Sequence, residues 1–215
     1  MYEQAQFKIE DRDKLFGVVR ANPLGLLITA GAGGLMANAI PFILKQRGED
    51  APLLEAHLAR ANPQWKEIAA GADALVVFQG VEQYVTPSWY PTKQEHGKVV
   101  PTWNYVIVQA RGPARTIEDG QWLRAHVAEL SDRHEADRQA PWSVDDAPDG
   151  FIAALSRGIV GVVMEARQLD GKFKLSQNRG EADRRGVAEG LAQTEDSTAQ
   201  AMAALVRAHG GLPPT

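Results

Sequence analysis

Residues 24–44 read LGLLITAGAGGLMANAIPFIL, and this stretch decides the fold. Leu24 to Ala30 is an apolar, β-branched run, Gly31 to Gly34 is a turn built from small residues, and Leu35 to Leu44 is a returning strand. A strand that doubles back within four residues makes antiparallel neighbours, not the parallel ones of an alternating βα chain. Pro41 has no N–H to give a ladder, so it marks the returning strand as an edge or a bulge.

Upstream, Asp11 to Arg20 reads as a short helix with Leu15, Phe16, Val18 and Val19 on one face, ended by Asn22-Pro23. Downstream, Leu53 to Ala59 is a further strand, and Asn62-Pro63 opens a helix with Asn as cap and Pro in first position. Gly71 stops that helix. Ala74 to Gln79 is a short strand, and Tyr84 to Tyr90 and Thr102 to Ile117 are extended, joined by a polar loop from Pro91 to Val100. Gln121 to Glu135 is an amphipathic helix with Leu123, Val127, Leu130 and His134 along one stripe. Asp145 or Asp146 caps a helix reaching Arg157, Ile159 to Ala166 is a late strand, and a charged turn with Phe173 follows. Glu181 to Gln193 and Ser197 to Ala208 are helices, and Gly210 to Thr215 is a loose tail. The order is α+β: an antiparallel meander of about six strands, suited to a barrel or half-barrel with flanking helices. No repeat or linker divides the chain, so residues 1–215 are expected to form one domain.

The 215 residues are 44% hydrophobic and 23% charged, with a net charge of −4. That balance suits a soluble globular protein and gives no basic footprint for sequence-independent phosphate-backbone binding. There is no cysteine, which removes disulfides, thiolate nucleophiles and zinc–thiolate sites. The first ten residues lack the apolar core of a signal peptide, and no window approaches the length of a membrane span. A cytoplasmic protein is the expectation.

Three polar-aromatic clusters stand out: His57 to Trp65, Pro87-Ser88-Trp89-Tyr90 and Pro101-Thr102-Trp103-Asn104-Tyr105. A ring beside hydrogen-bonding groups suits a planar ligand with a polar or phosphorylated tail as well as it suits a plugged barrel end. In the first cluster, Arg60 with the N–H groups around Asn62 and Gln64 forms an expected anion site at a helix start. Other chemistry is weakly represented. His126 and His134, eight apart and followed by Glu135, do not make the two-His helical metal motif. Ser88 has no Gly-x-Ser-x-Gly elbow, and Gly31 to Gly34 is no dinucleotide or P-loop fingerprint. The most basic stretch, Lys172 to Arg179, is either a solvated turn, a ligand edge through Gln177 and Asn178, or a nucleic-acid contact.

These clusters in this order resemble the PaiB-like family of FMN-binding negative transcriptional regulators. The resemblance runs from Met1-Tyr2 through Ala59-Arg60-Ala61-Asn62-Pro63-Gln64-Trp65, Val77-Phe78-Gln79-Gly80 and Ser88-Trp89-Tyr90. It is strongest at Val100-Pro101-Thr102-Trp103-Asn104-Tyr105 and closes at Lys174-Leu175-Ser176-Gln177-Asn178-Arg179. It implies an antiparallel FMN-binding split β-barrel with flanking helices, similar to that of pyridoxamine-phosphate oxidases, in a homodimer with FMN at the subunit interface. It implies cofactor contacts at Asn38, His57, Arg60, Asn62, Ser88, Trp89, Lys93, Thr102, Trp103, Asn104, Gln177 and Asn178. Arg60 and Asn62 fall near the phosphate, and Gln177 and Asn178 reach in from the other subunit. The implied role is negative regulation of transcription, through a DNA or regulatory protein partner. The alternative is a flavin-dependent oxidoreductase with His57, Tyr90 and Lys93 as acid–base candidates. The chain departs from the family pattern at Ala39, where His is usual, and at Ala56, where Gly is common and where a methyl group would crowd a close backbone approach.

Overall fold

The computed structural model describes residues 1–213. In chain order the elements are β1 (Lys8–Ile9), α1 (Arg12–Ala21), β2 (Leu24–Gly31), β3 (Gly34–Pro41), β4 (Ile43–Lys45), β5 (Leu53–Ala59), α2 (Gln64–Ala69), β6 (Asp73–Val85), α3 (Thr92–His96), β7 (Thr102–Ile117), α4 (Gly120–Glu135), α5 (Phe151–Ser156), β8 (Ile159–Glu165), β9 (Gln168–Lys174), α6 (Glu181–Ala192) and α7 (Ser197–Gly210). The pairs β1–β9, β2–β3, β2–β6, β4–β5, β5–β8 and β7–β8 are all antiparallel. The chain divides into two compact units. One comprises Met1–Ala21, Gln79–Val108 and Asp170–Thr215, and the other Asn22–Phe78 and Gln109–Leu169.

The strands follow the order β3-β2-β6-β7-β8-β5-β4, and β9 pairs with β1 and β7. The 24–44 reading holds: Gly31 pairs with Gly34 across a two-residue turn, and Leu24 pairs with Pro41 at the open end. Pro41 ends β3, an edge strand in that order. Period-2 alternation places Leu54, Ala56 and Leu58 of β5 in the core beside Val160, Val162 and Met164 of β8. Ala56 is fully buried and faces that core, so its methyl group crowds no exposed backbone. In the first unit, Val85, Tyr90, Val106, Phe173 and Leu175 pack with Val187, Leu191, Met202 and Val206 of α6 and α7. β7 alternates along its first half: Asn104, Val106, Val108 and Ala110 are buried while Trp103 is exposed.

Several expectations are corrected. The strand after α2 is longer than Ala74 to Gln79, running from Asp73 to Val85. The stretch Tyr84 to Tyr90 is not all extended. Past Val85 it becomes a 3-10 turn at Pro87–Trp89, and the expected loop holds α3, because each proline sits at the start of a turn where no N–H is needed. The helix expected from Asp145 to Arg157 is two pieces, a 3-10 turn at Val144–Asp146 and α5, split by Pro148 and by Gly150 in the left-handed region (φ 74°). The charged turn around Phe173 is the strand β9. The tail is not loose at its start: α7 runs to Gly210, Gly211 caps it at φ 65°, and Leu212 is buried. Pro214 and Thr215 lie outside the described residues.

Candidate functional site

The first cluster lies wholly in the unit containing β5. Alternation along β5 turns Glu55 and His57 away from the core and toward α4. His57 Nδ1 lies 3.2 Å from His126 Nε2, with the rings edge-on at 5.3 Å. The Trp122 indole stacks on His126, centroids 5.0 Å apart and planes 5° apart. Beneath it is Gly161, where a Cβ would come within 2.3 Å of the indole. His126 is only 3% exposed, and its Nδ1 has no hydrogen-bond partner. Burial first, then the neighbouring His57, pushes the His126 pKa down to about 4, and burial lowers that of His57. The same helix carries Glu129, hydrogen-bonded to Lys45 and, at 2.8 Å, to Arg133. Burial opposes ionisation of that carboxyl, and the two cations outweigh it, holding the pKa down. The expected α4 stripe is therefore corrected. Leu123 and His126 are its buried residues, whereas His134 is exposed.

Past β5 the chain enters α2, which starts one residue later than expected. Asn62 Oδ1 accepts the Gln64 N–H at 3.0 Å, and Asn62 N–H donates to the Ala59 carbonyl at 2.9 Å. The N–H groups expected to be free for an anion are thus paired. Arg60 is engaged as well: it donates to Glu118 at 2.6 Å and to the carbonyls of Arg157 and Ile159 at 2.9 and 3.2 Å. Trp65 Nε1 donates back to the Arg60 carbonyl. Gln64, fully buried, donates to the carbonyls of Leu27 and Met36 and to Thr29, and accepts from Asn38 Nδ2 at 2.9 Å. Asn38 thus braces α2 against the β2–β3 hairpin.

The second cluster lies wholly in the other unit. Thr86 caps the 3-10 turn by accepting the Ser88 N–H. Trp89 rests on α6, where Cβ atoms at Gly186 and Gly190 would fall 2.0 Å from its carbonyl oxygen and 2.5 Å from its ring. Lys93 Nζ donates to Ser88 Oγ at 3.4 Å, both residues being exposed. Thr102 Oγ1 accepts from Lys174 at 2.5 Å. Trp103 is 51% exposed and meets Tyr84 edge-on at 6.0 Å. Asn104 is fully buried and donates to Ser176 Oγ at 3.0 Å. Ser176 itself takes the left-handed backbone (φ 66°), strained for a residue with a side chain. Gln177 ties off the same turn, accepting from Leu175 N–H and donating to the Phe173 carbonyl, while Asn178 is exposed.

A family model described as "Putative FMN-binding domain" matches residues 1–168. The chain belongs to this FMN-binding family. FMN is therefore its cofactor. The Protease synthase and sporulation protein PAI 2 of Bacillus subtilis is 31% identical over 206 residues, 96% of each chain, so the PaiB-like resemblance holds. A protein of Aspergillus fumigatus is 34% identical over 239 residues, covering 90% of this chain and 92% of that one. In fold, the chain is similar to the FAD and heme binding protein of Mycobacterium smegmatis, with a TM-score of 0.57 at 18% identity over 78% of this chain and 73% of that one. The fold class is the expected one, α+β, an antiparallel split β-barrel with flanking helices.

The donor set suits an FMN-binding family. His57 Nε2, Ser88, Lys93 and Asn178 keep polar groups free of buried contacts, and of the three partners of Arg60 only the half-exposed ion pair with Glu118 is one that an anionic ligand would replace. Bound FMN supplies hydride and electron exchange. The chain would supply position and hydrogen bonds, with burial lowering the pKa of the His57 imidazole. Sequence reasoning named Gln64 only for its backbone N–H, weighed His126 only as a metal ligand, and passed over Trp122; the residue His126 meets is 69 positions away in the chain.

Proposed function

We propose that this chain is an FMN-binding homodimer of the PaiB type that acts in negative regulation of transcription. Membership of the FMN-binding family over residues 1–168 is the observation that carries the flavin half. The regulatory half rests on the PaiB-like likeness. With a net charge of −4, a protein partner suits it better than direct, unassisted DNA contact.

Dimerisation is supported by an uncovered sheet face. Leu24, Leu26 and Leu35 are 64%, 39% and 82% exposed on one side of the β2–β3 hairpin. Ala39, which replaces the family's usual His, pairs with Leu26 on that side and keeps it apolar. A second copy is the simplest cover for such a patch. We infer that FMN lies at the subunit interface. Of its expected contacts, Asn38, His57, Arg60 and Asn62 belong to the unit that holds β5, and Ser88, Trp89, Lys93, Thr102, Trp103, Asn104, Gln177 and Asn178 belong to the unit that holds β9. Residues 1–215 act as one domain, because β6 and β7 run through both units, and the protein works in the cytoplasm.

Absorption spectroscopy after FMN addition and dialysis, with light scattering, tests the proposal. A retained flavin spectrum at twice the chain mass is expected, and a colourless monomer overturns it. A second reading, a flavin-dependent oxidoreductase, is favoured by the neutral, partly exposed His57. NAD(P)H turnover with an acceptor selects that reading. Operator-specific binding that persists at moderate salt selects the regulator.

A further inference from the structure

His126 keeps one ring nitrogen without a partner. The residue is 3% exposed, and its Nδ1 makes no hydrogen bond. Its Nε2 lies 3.2 Å from His57 Nδ1. Turning the ring to free Nδ1 would break that contact and lift the imidazole off the Trp122 indole, on which it lies flat with centroids 5.0 Å apart. Trp122 is in turn seated over Gly161, the strand partner of His57. All four residues lie in the unit that holds β5.

Burial lowers both imidazole pKa values below the ordinary value of about 6.5, so near neutral pH neither ring is charged. Each ring then carries one proton, and a single proton lies between them. If His57 Nδ1 supplied it, the His126 proton would sit on Nδ1, a buried N–H with no acceptor. If His126 Nε2 supplies it, Nδ1 is only a bare lone pair. A buried donor without a partner is rarer and costlier than an under-used acceptor. The second arrangement therefore wins. His126 donates from Nε2, His57 accepts at Nδ1, and the proton of His57 is left on its Nε2. Among the described residues that nitrogen has no partner, and the side chain is half-buried, not covered.

We propose that His126 is a positioning residue. It fixes His57 in the Nε2-protonated form and so makes it a hydrogen-bond donor toward an acceptor atom of FMN. The bond that one ring nitrogen makes decides what the other can offer. FMN is rich in acceptors, in its ring carbonyls and its phosphate, and a donor already locked in place has less freedom to lose on binding. The proposal rests on the reading that puts FMN at His57. It also narrows the chemistry: Nε2, already protonated, cannot be a general base, so an oxidoreductase would use His57 as a donor or an acid.

Nuclear magnetic resonance of nitrogen-labelled histidine in flavin-free protein reads the tautomers directly, and calorimetric titration with FMN reads the consequence. Both rings are expected to carry their proton on Nε2. His126→Phe keeps a flat ring on Trp122 and removes the donor; it should release His57 into mixed tautomers and weaken FMN about three- to tenfold. His126→Gln places an amide N–H where Nε2 stood, and should restore the His57 tautomer and bring FMN affinity to within about twofold of the wild type. Far-UV circular dichroism verifies folding, and the wild-type spectrum needs no variant. A proton on His57 Nδ1 overturns the proposal. So does equal FMN affinity in all three proteins, or a His126→Gln variant that binds FMN as weakly as His126→Phe. The expected tautomers in a protein that binds no FMN overturn the choice of FMN as acceptor together with the cofactor reading, so the two failures are told apart.

Discussion

Replacing Gly161 by alanine sets two physical rules against each other. Gly161 lies in mid-strand, paired with His57 on one side and Ile117 on the other, and its backbone is not in the left-handed region. By backbone entropy alone, alanine should stabilise such a position by about 0.5–1 kcal/mol. Its Cβ, however, would lie 2.3, 2.9 and 3.1 Å from three atoms of the Trp122 indole. Non-bonded carbons settle near 3.5–4.0 Å, so the ring must move by about an ångström. It has nowhere cheap to go, because it is stacked flat on the buried His126, which in turn meets His57. Overpacking of this kind costs about 1–3 kcal/mol, and with the ring held between His126 and the strand the upper part of that range applies, leaving a net loss of about 1–2.5 kcal/mol after the entropic gain. Urea unfolding followed by circular dichroism should show it, with a fall in Tm of about 2–4 °C per kcal/mol for a chain of this size. The decisive measurement is the cycle with Trp122→Leu. There the new methyl group enters vacated space, and Gly161→Ala should become neutral or stabilising, a coupling of about 1 kcal/mol or more. An equal cost in both backgrounds, or no cost in the wild type, would refute the packing argument.

Three further outcomes follow from the same structure. The His126 pKa of about 4, against about 6.5 when unfolded, means that between those values the unfolded chain takes up a proton the native one refuses. Stability should therefore fall by roughly 3 kcal/mol as pH drops from 6.5 toward 4 and level off below; urea midpoints against pH measure this, and an unaltered slope in His126→Gln counts against it. Gly190→Ala, ordinarily a gain of about 1 kcal/mol inside a helix, should here cost about 1–3 kcal/mol and expose the Trp89 indole, read as a red-shifted fluorescence; a stabilised variant with native fluorescence contradicts the contact. Gln64→Leu keeps the volume but strands the Leu27 and Met36 carbonyls and the Asn38 amide, and should cost about 2–4 kcal/mol in urea unfolding; a loss under 1 kcal/mol would mean that water replaces the bonds.

Much of the architecture is local and was legible in the sequence. The β2–β3 hairpin follows from a glycine-rich turn between two apolar runs, and β7 from the alternation along its first half, Trp103 to Ala110. Asp119 and Asp196, which the sequence reading passed over, cap α4 and α7 by accepting the Trp122 and Thr198 N–H groups. What was misread depended on partners distant in sequence. β9 looked like a charged turn because every second residue is polar, and only pairing with β1 and β7 makes it a strand. The α4 stripe was drawn through Leu123, Val127, Leu130 and His134; Leu123 is buried as expected, but the second buried residue is His126, with Trp122 beside it, because Gly161 opens room there.

The aromatic clusters pointed to function, and the structure separates them by a rule the sequence does contain. Trp89 and Trp122 each occupy a notch left by glycines, Gly186 with Gly190 and Gly161 respectively, and Trp65 is bonded to its own loop at the Arg60 carbonyl. An indole seated on glycine has given its face to the fold. Trp103 has no such partner: its contact is the rim of Tyr84, and half its surface is open. Glycine spaced i, i+4 on an amphipathic helix, as in α6, or alone in a buried strand, as in β8, is the trace of a packed aromatic.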